Sequence, residues 1–213
     1  MADRRQPLRL LAFGDSLTAG YYYFGSAYHP YAKHLSKLFE SVRVPVVIDE
    51  KGVSGERAVP VMVQRLVALL GSNDSFYDWI LILGGTNDLG SRLSVADIFE
   101  QGLKSMYEMV LHRTSANTKL VVMTILRINF YPQGHKIDKK REALNEMIRD
   151  YAMNHGVSGR VFLVDLDKVI QYHSMKDTGE RDVIWDDGVH LTPAGYDQMA
   201  AEIFKVMKRN LPS

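Results

Sequence analysis

The chain has 213 residues, a formal net charge of +1, 46% hydrophobic residues and no cysteine. That length suits one domain, residues 1–213, with a full core. The balanced charge gives no electrostatic footing for nucleic acid or an acidic membrane surface. The missing cysteines exclude disulfides, Cys-ligated zinc and a cysteine nucleophile.

Strand-like and helix-like patterns alternate along the chain. Leu8 to Phe13 is an apolar run stopped by Gly14-Asp15-Ser16, the pattern of a buried strand entering a tight turn. It is too short for a signal-peptide core, and no apolar run nears the roughly 20 residues that span a bilayer. A cytoplasmic protein without a membrane span is the expectation. Tyr21 to His29 reads as a polar and aromatic loop. Pro30 opens a helix striped by Tyr31, Leu35, Leu38 and Val42. Val44 to Ile48 is a short β-branched strand, and Asp49 to Ala58 a loop with Gly52 and Gly55. Val59, Met62, Val63, Leu66 and Leu70 form the next helical stripe. Trp79 to Leu83 is continuously apolar, as a central strand must be. It breaks at Gly84-Gly85-Thr86-Asn87-Asp88.

Ser94 caps a helix carrying Ile98, Phe99, Met106, Met109 and Val110. Lys119 to Leu126 is a fourth strand and Asn129 to Ile137 a loop. Asp138 caps a helix with Leu144, Ile148, Tyr151 and Ala152 on one face, and the Lys136 to Arg141 charge run is its solvated start. Val161 to Leu166 is the fifth strand, and Tyr172 to Val189 reads as irregular. Thr192-Pro193 starts a last helix with Met199, Ile203, Phe204 and Met207. Five strands, each followed by helical pattern, predict a parallel sheet covered on both faces, in flavodoxin-like or Rossmann-like order.

In such a sheet the loops after the strands open on one edge, where ligands bind. Four of them carry residues suited to acyl transfer. Ser16 follows the first strand and reads as a nucleophile, a turn residue or a helix cap. A serine nucleophile needs a base, and a histidine base needs a carboxylate to orient it. His190 and Asp187, in Asp186-Asp187-Gly188-Val189-His190, are close enough to meet in a turn. The backbone of Gly55 and the amide of Asn87 can donate to an oxyanion. Each residue alone is more often structural. The joint occurrence, in the one place the fold gathers them, favours catalysis.

These blocks resemble the SGNH hydrolase superfamily, the GDSL-type esterases and lipases. The matching stretches are Phe13-Gly14-Asp15-Ser16-Leu17-Thr18, Gly55, Gly85-Thr86-Asn87-Asp88 and Asp187-Gly188-Val189-His190. They come in the family's order and span nearly the whole chain. The resemblance implies a flavodoxin-like three-layer α/β/α sandwich with a five-stranded parallel sheet. It implies a serine esterase or acylhydrolase acting on small-molecule esters without a cofactor. Ser16 is then the nucleophile, His190 the base and Asp187 its partner. Ser16 N–H, Gly55 N–H and Asn87 form the oxyanion hole. Gly52 rivals Gly55, and Asp186 rivals Asp187, though the family spacing favours Asp187. The α/β-hydrolase elbow is not matched, because Thr18 stands where its second glycine should be.

Tyr21, Tyr22, Tyr23, Phe24 and Tyr28 either line an acyl or aromatic pocket or pack among themselves. Arg127, Asn129, Phe130 and Tyr131 are expected at the same edge, and Trp185 is either a second wall or a loop anchor. Asp15 organises the turn. His29 and His34 are not spaced to share a helical face, and no metal-ligand pattern is present. No long insertion suggests a lid, which favours small or water-soluble esters. Carbohydrate O-deacetylase, thioesterase and lysophospholipase chemistry suit the same site. The rivals are a silent binding module and a nucleotide binder; the latter lacks the Walker A and Gly-x-Gly-x-x-Gly spacings.

Overall fold

The computed structural model describes residues 6–71, 76–129, 131–172 and 178–211. β1 (Leu8–Gly14) runs into α1 (Ser16–Ala19), a single turn. A small antiparallel hairpin follows, β2 (Tyr21–Tyr22) and β3 (Ala27–Tyr28). Next come α2 (Tyr31–Ser41), β4 (Val46–Gly52), α3 (Val63–Leu70) and β5 (Trp79–Leu83). α4 (Val95–Asp97) continues through a π-helical stretch into α5 (Ser105–Arg113). β6 (Lys119–Met123), α6 (Lys136–Gly156), β7 (Val161–Val164) and α7 (Leu166–Val169) complete the sheet. α8 (Thr178–Ile184) and α9 (Pro193–Lys208) close the chain.

The main sheet is five-stranded and parallel, in the order β4-β1-β5-β6-β7. This is the flavodoxin-like of the two expected orders, with the sheet turning back on itself beside β1. Period-two alternation assigns the side chains of its central strands to two cores. Leu10, Ala12, Trp79 and Leu81 meet Leu35 and Phe39 of α2 and Met199 and Ile203 of α9. Leu11, Phe13, Ile80 and Ile82 meet Leu66 of α3, Met106 of α5 and Leu144 and Ile148 of α6. No described helix is long and apolar enough to cross a membrane.

Several boundaries differ from the sequence reading. The second main-sheet strand is Val46–Gly52, not Val44–Ile48. As an edge strand it carries Asp49, Glu50 and Lys51 without burying a full apolar run, so apolarity alone ends it too early. The loop expected from Tyr21 contains the hairpin, and the irregular stretch after Tyr172 contains α8. The cap of α6 is His135, whose Nδ1 accepts from Ile137 N–H at 3.3 Å. Asp138, within the first turn, is buried with Arg141, so the charge run is solvated only at Lys136 and Lys139. Arg127 donates to Asp138 Oδ2 at 2.6 Å, and Arg141 Nη2 to Oδ1 at 3.0 Å. Removing one partner of such a buried pair leaves an uncompensated charge.

Candidate active site

The end of β1 is shaped to present Ser16. A Cβ on Gly14 would come within 2.4 Å of the Leu83 carbonyl oxygen, so only glycine fits beside β5. Asp15 then caps α1, accepting from Leu17 N–H at 3.0 Å. With the cap supplied by Asp15, the Ser16 side chain is free for another partner. That partner is His190, whose Nε2 lies 2.9 Å from Ser16 Oγ.

His190 is held on its other side by Asp187, with Nδ1 to Oδ2 at 2.8 Å. Asp187 Oδ1 accepts from Val189 N–H at 3.0 Å and His190 N–H at 2.8 Å. Burial opposes ionisation of Asp187. The His190 ring and these two backbone donors outweigh it and hold the carboxyl below its ordinary range. An ionised carboxylate only accepts, so the ring proton sits on Nδ1 and Nε2 is free to take the serine proton. The loop itself is tied at several points. Trp185 bridges Leu191, Asp186 N–H donates to the His190 carbonyl at 2.9 Å, and Asn129 N–H donates to the Gly188 carbonyl at 2.7 Å.

Asp186 has different work: its Oδ2 accepts from Tyr23 N–H at 2.7 Å. This separates the two adjacent aspartates. The two candidate glycines also separate. A Cβ on Gly52 would meet the Ala19 backbone nitrogen at 2.1 Å, so that glycine permits close packing under α1. Gly55 has a left-handed φ of 78° and open space around it.

The loop after β4 is fastened to the loop after β5. Asn87 Nδ2 donates to the Glu56 carbonyl at 2.9 Å, which leaves its second amide N–H available. Asp88 accepts from Ala58 N–H at 2.8 Å and Val59 N–H at 3.2 Å. Arg65 braces the same region. Its guanidinium donates to Glu56 Oε2 at 2.8 Å, the Lys51 carbonyl at 2.9 Å and the Gly14 carbonyl at 3.0 Å, while lying over the Phe13 ring. One side chain thus ties together the ends of β1 and β4. No short-range sequence signal pointed to Arg65. If Asn87 donates to an oxyanion, Asn87→Ala lowers kcat by about 10²–10³-fold, as steady-state kinetics would read. A loss below tenfold would remove Asn87 from that role.

Asp15 is fully buried, and its Oδ2 has no hydrogen-bond partner. Burial pushes its carboxyl up to about 7, with the charges of Asp88 and Glu56 adding to the rise. The unfolded chain releases this proton near pH 3.8, so between those values the unfolded state is favoured as pH rises. The stability at stake is about 4 kcal/mol, present below pH 4 and lost through pH 7. Asparagine keeps the capping oxygen and cannot ionise. The melting temperature of Asp15→Asn should therefore gain on wild type between pH 4 and 7; a constant difference would refute the buried proton.

The remaining sequence candidates are spread around this centre. The Tyr21 ring lies against the His190 imidazole, with centroids 4.3 Å apart. Tyr22 turns to the core. Tyr23 and Phe24 are exposed and have φ of 52° and 54°, a region that costs an L residue roughly 1–2 kcal/mol. Arg127 joins Asp138, as above, and lines a polar cavity of about 420 Å³ with Arg141, Asp167, Lys168 and Tyr172. Trp185 is only 3% exposed and donates from Nε1 to the Gln171 carbonyl at 3.3 Å, which makes it a loop anchor. Tyr131 stacks on His135, and Phe130 lies outside the described residues. His29 and His34, not expected to share a helical face, both approach Asp197, at 2.7 and 3.5 Å.

Comparisons with known proteins bear on the family and the fold. The model of the GDSL-like lipase/acylhydrolase family matches residues 12–198. A search of curated proteins found no match. Among solved structures, a lipolytic G-D-S-L family protein from Veillonella parvula has a TM-score of 0.73 at 18% identity, covering 95% of this chain and 99% of that one. A lipase/acylhydrolase from Enterococcus faecalis gives 0.69 at 20% identity, covering 96% and 97%. A family 3 carbohydrate esterase from Clostridium thermocellum gives 0.70 at 20% identity, covering 96% of each. At these identities the structures establish the fold. The family match spans most of the chain, from the end of β1 into α9, so the chain belongs to the GDSL-like lipase/acylhydrolase family and is an ester hydrolase.

Proposed function

We propose that the chain is a serine esterase that cleaves carboxylic esters through an acyl-enzyme on Ser16. The observation that carries this reading is the unbroken line from Ser16 Oγ through His190 to Asp187, at 2.9 and 2.8 Å. His190 Nε2 accepts the serine proton as Oγ attacks the ester carbonyl. Ser16 N–H, Gly55 N–H and the free amide N–H of Asn87 stabilise the oxyanion. Protonated His190 then gives its proton to the departing alcohol. Water, deprotonated by the same base, releases the acid. The open space at Gly55 and the steric packing at Gly52 favour Gly55 as the backbone donor.

The substrates are small or water-soluble acyl esters, since no long insertion covers the site among the described residues. Likeness to a carbohydrate esterase makes an acylated sugar the second substrate reading. The test is hydrolysis of p-nitrophenyl esters from acetyl to palmitoyl, together with mass spectrometry after a fluorophosphonate probe. Turnover with a single adduct on Ser16 is expected. An adduct elsewhere, or neither adduct nor turnover, would sink the reading.

A further inference from the structure

The hairpin from Tyr21 to Tyr28 stands beside the triad and takes no part in the chemistry above. Its base is fixed by polar ties. His29 N–H donates to the Gly20 carbonyl at 2.7 Å, and His29 Nε2 lies 2.7 Å from Asp197 Oδ1. Tyr196 OH donates to the Tyr21 carbonyl, and Tyr23 N–H to Asp186, each at 2.7 Å. Its tip is a left-handed turn through Tyr23, Phe24 and Gly25. A Cβ on Gly25 would meet the Tyr21 ring at 2.7 Å, so the turn folds closely over that ring. Yet this tightly folded turn leaves Tyr23 63%, Phe24 83% and Tyr28 50% exposed. Aromatic rings held at unfavourable backbone angles and left in water serve no core. Such outliers collect at functional sites.

The position of the hairpin says which half of an ester it faces. Besides the Ser16 N–H itself, the proposed oxyanion donors, Gly55 and Asn87, come from the loops after β4 and β5. The hairpin is joined instead to the His190 loop, through Tyr21 against the imidazole and Tyr23 against Asp186. In ester cleavage the histidine returns its proton to the leaving alcohol, so that alcohol must lie beside His190 Nε2. We infer that the hairpin is the subsite for the alcohol half of the substrate, and that it selects alcohols bearing a ring with an apolar face. Rigid, exposed rings stack on such faces at low entropic cost. An aryl ring and a pyranose ring share that chemistry. The inference rests on the acyl-enzyme reading above.

The test compares acetyl esters that differ only in their alcohol: butyl acetate, benzyl acetate and methyl 6-O-acetyl-glucoside. Their kcat/KM values report steps through acylation, where the alcohol still occupies the site. Wild type should prefer one of the ring-bearing esters to butyl acetate, and which one identifies the ring. In Tyr23→Ala and Phe24→Ala, the ring-to-butyl ratio should fall about 3- to 10-fold. Both side chains are exposed, so neither replacement opens a core cavity. A wild type without ring preference, or variants that keep the ratio, would overturn the subsite. So would a loss confined to micellar p-nitrophenyl palmitate, which would make the tip a lipid-surface contact. Absence of turnover and of a Ser16 adduct would instead overturn the esterase reading beneath it.

Discussion

Ser16→Ala should reduce ester turnover by a factor on the order of 10⁶ while leaving the fold intact. The two halves of that expectation have separate causes. Alanine removes Oγ, the atom 2.9 Å from His190 Nε2, and no acyl-enzyme can then form. The backbone loses nothing, because Asp15 rather than Ser16 caps α1. Alanine is also the best helix former, so the first turn persists. Activity on p-nitrophenyl acetate should vanish at an unchanged melting temperature. Turnover within tenfold of wild type would place the nucleophile elsewhere. A collapsed melting temperature would mean that Ser16 is structural.

Asp187→Asn should cost about 10⁴-fold in kcat, with little effect on KM. Asparagine can keep one oxygen facing the N–H groups of Val189 and His190, so the loop retains its shape. Its NH₂ then faces His190 Nδ1, where an acceptor stood before. The imidazole must turn its lone pair to that amide, which moves its proton to Nε2. A protonated Nε2 cannot take the proton of Ser16. Asp186→Asn supplies the control, since Asp186 meets Tyr23 N–H and not the imidazole. Equal losses in the two variants, or a larger loss at position 186, would reverse the assignment.

How much of this was legible in the sequence depended on the range of the signal. β1 and β5 announce themselves because fully buried parallel strands must be apolar without interruption. The Gly14-Asp15-Ser16 turn, Gly55, Asn87 and the Asp187–His190 pair are short motifs, and the strand order gathers them at one edge. The hairpin was missed because strands of two residues have no period to read. β4 was cut short because an edge strand carries charged residues where a central one cannot. Asp138 read as a cap by its type alone. Its true role depends on Arg127, which lies 11 residues away and meets it only after folding. Arg65 was invisible for the same reason: a guanidinium that joins Gly14, Lys51 and Glu56 is defined by its tertiary neighbours.

Ser16 and His190 are 174 positions apart, and this distance also sets an order in time. During synthesis Ser16 is made long before His190, the base of the proposed mechanism. His190 immediately precedes α9, the helix that packs against α2. A serine hydroxyl without a base is a weak nucleophile. On the proposed mechanism, a growing chain that has not yet made His190 should be inert toward esters. A chain cut before His190 should then be silent rather than indiscriminately reactive.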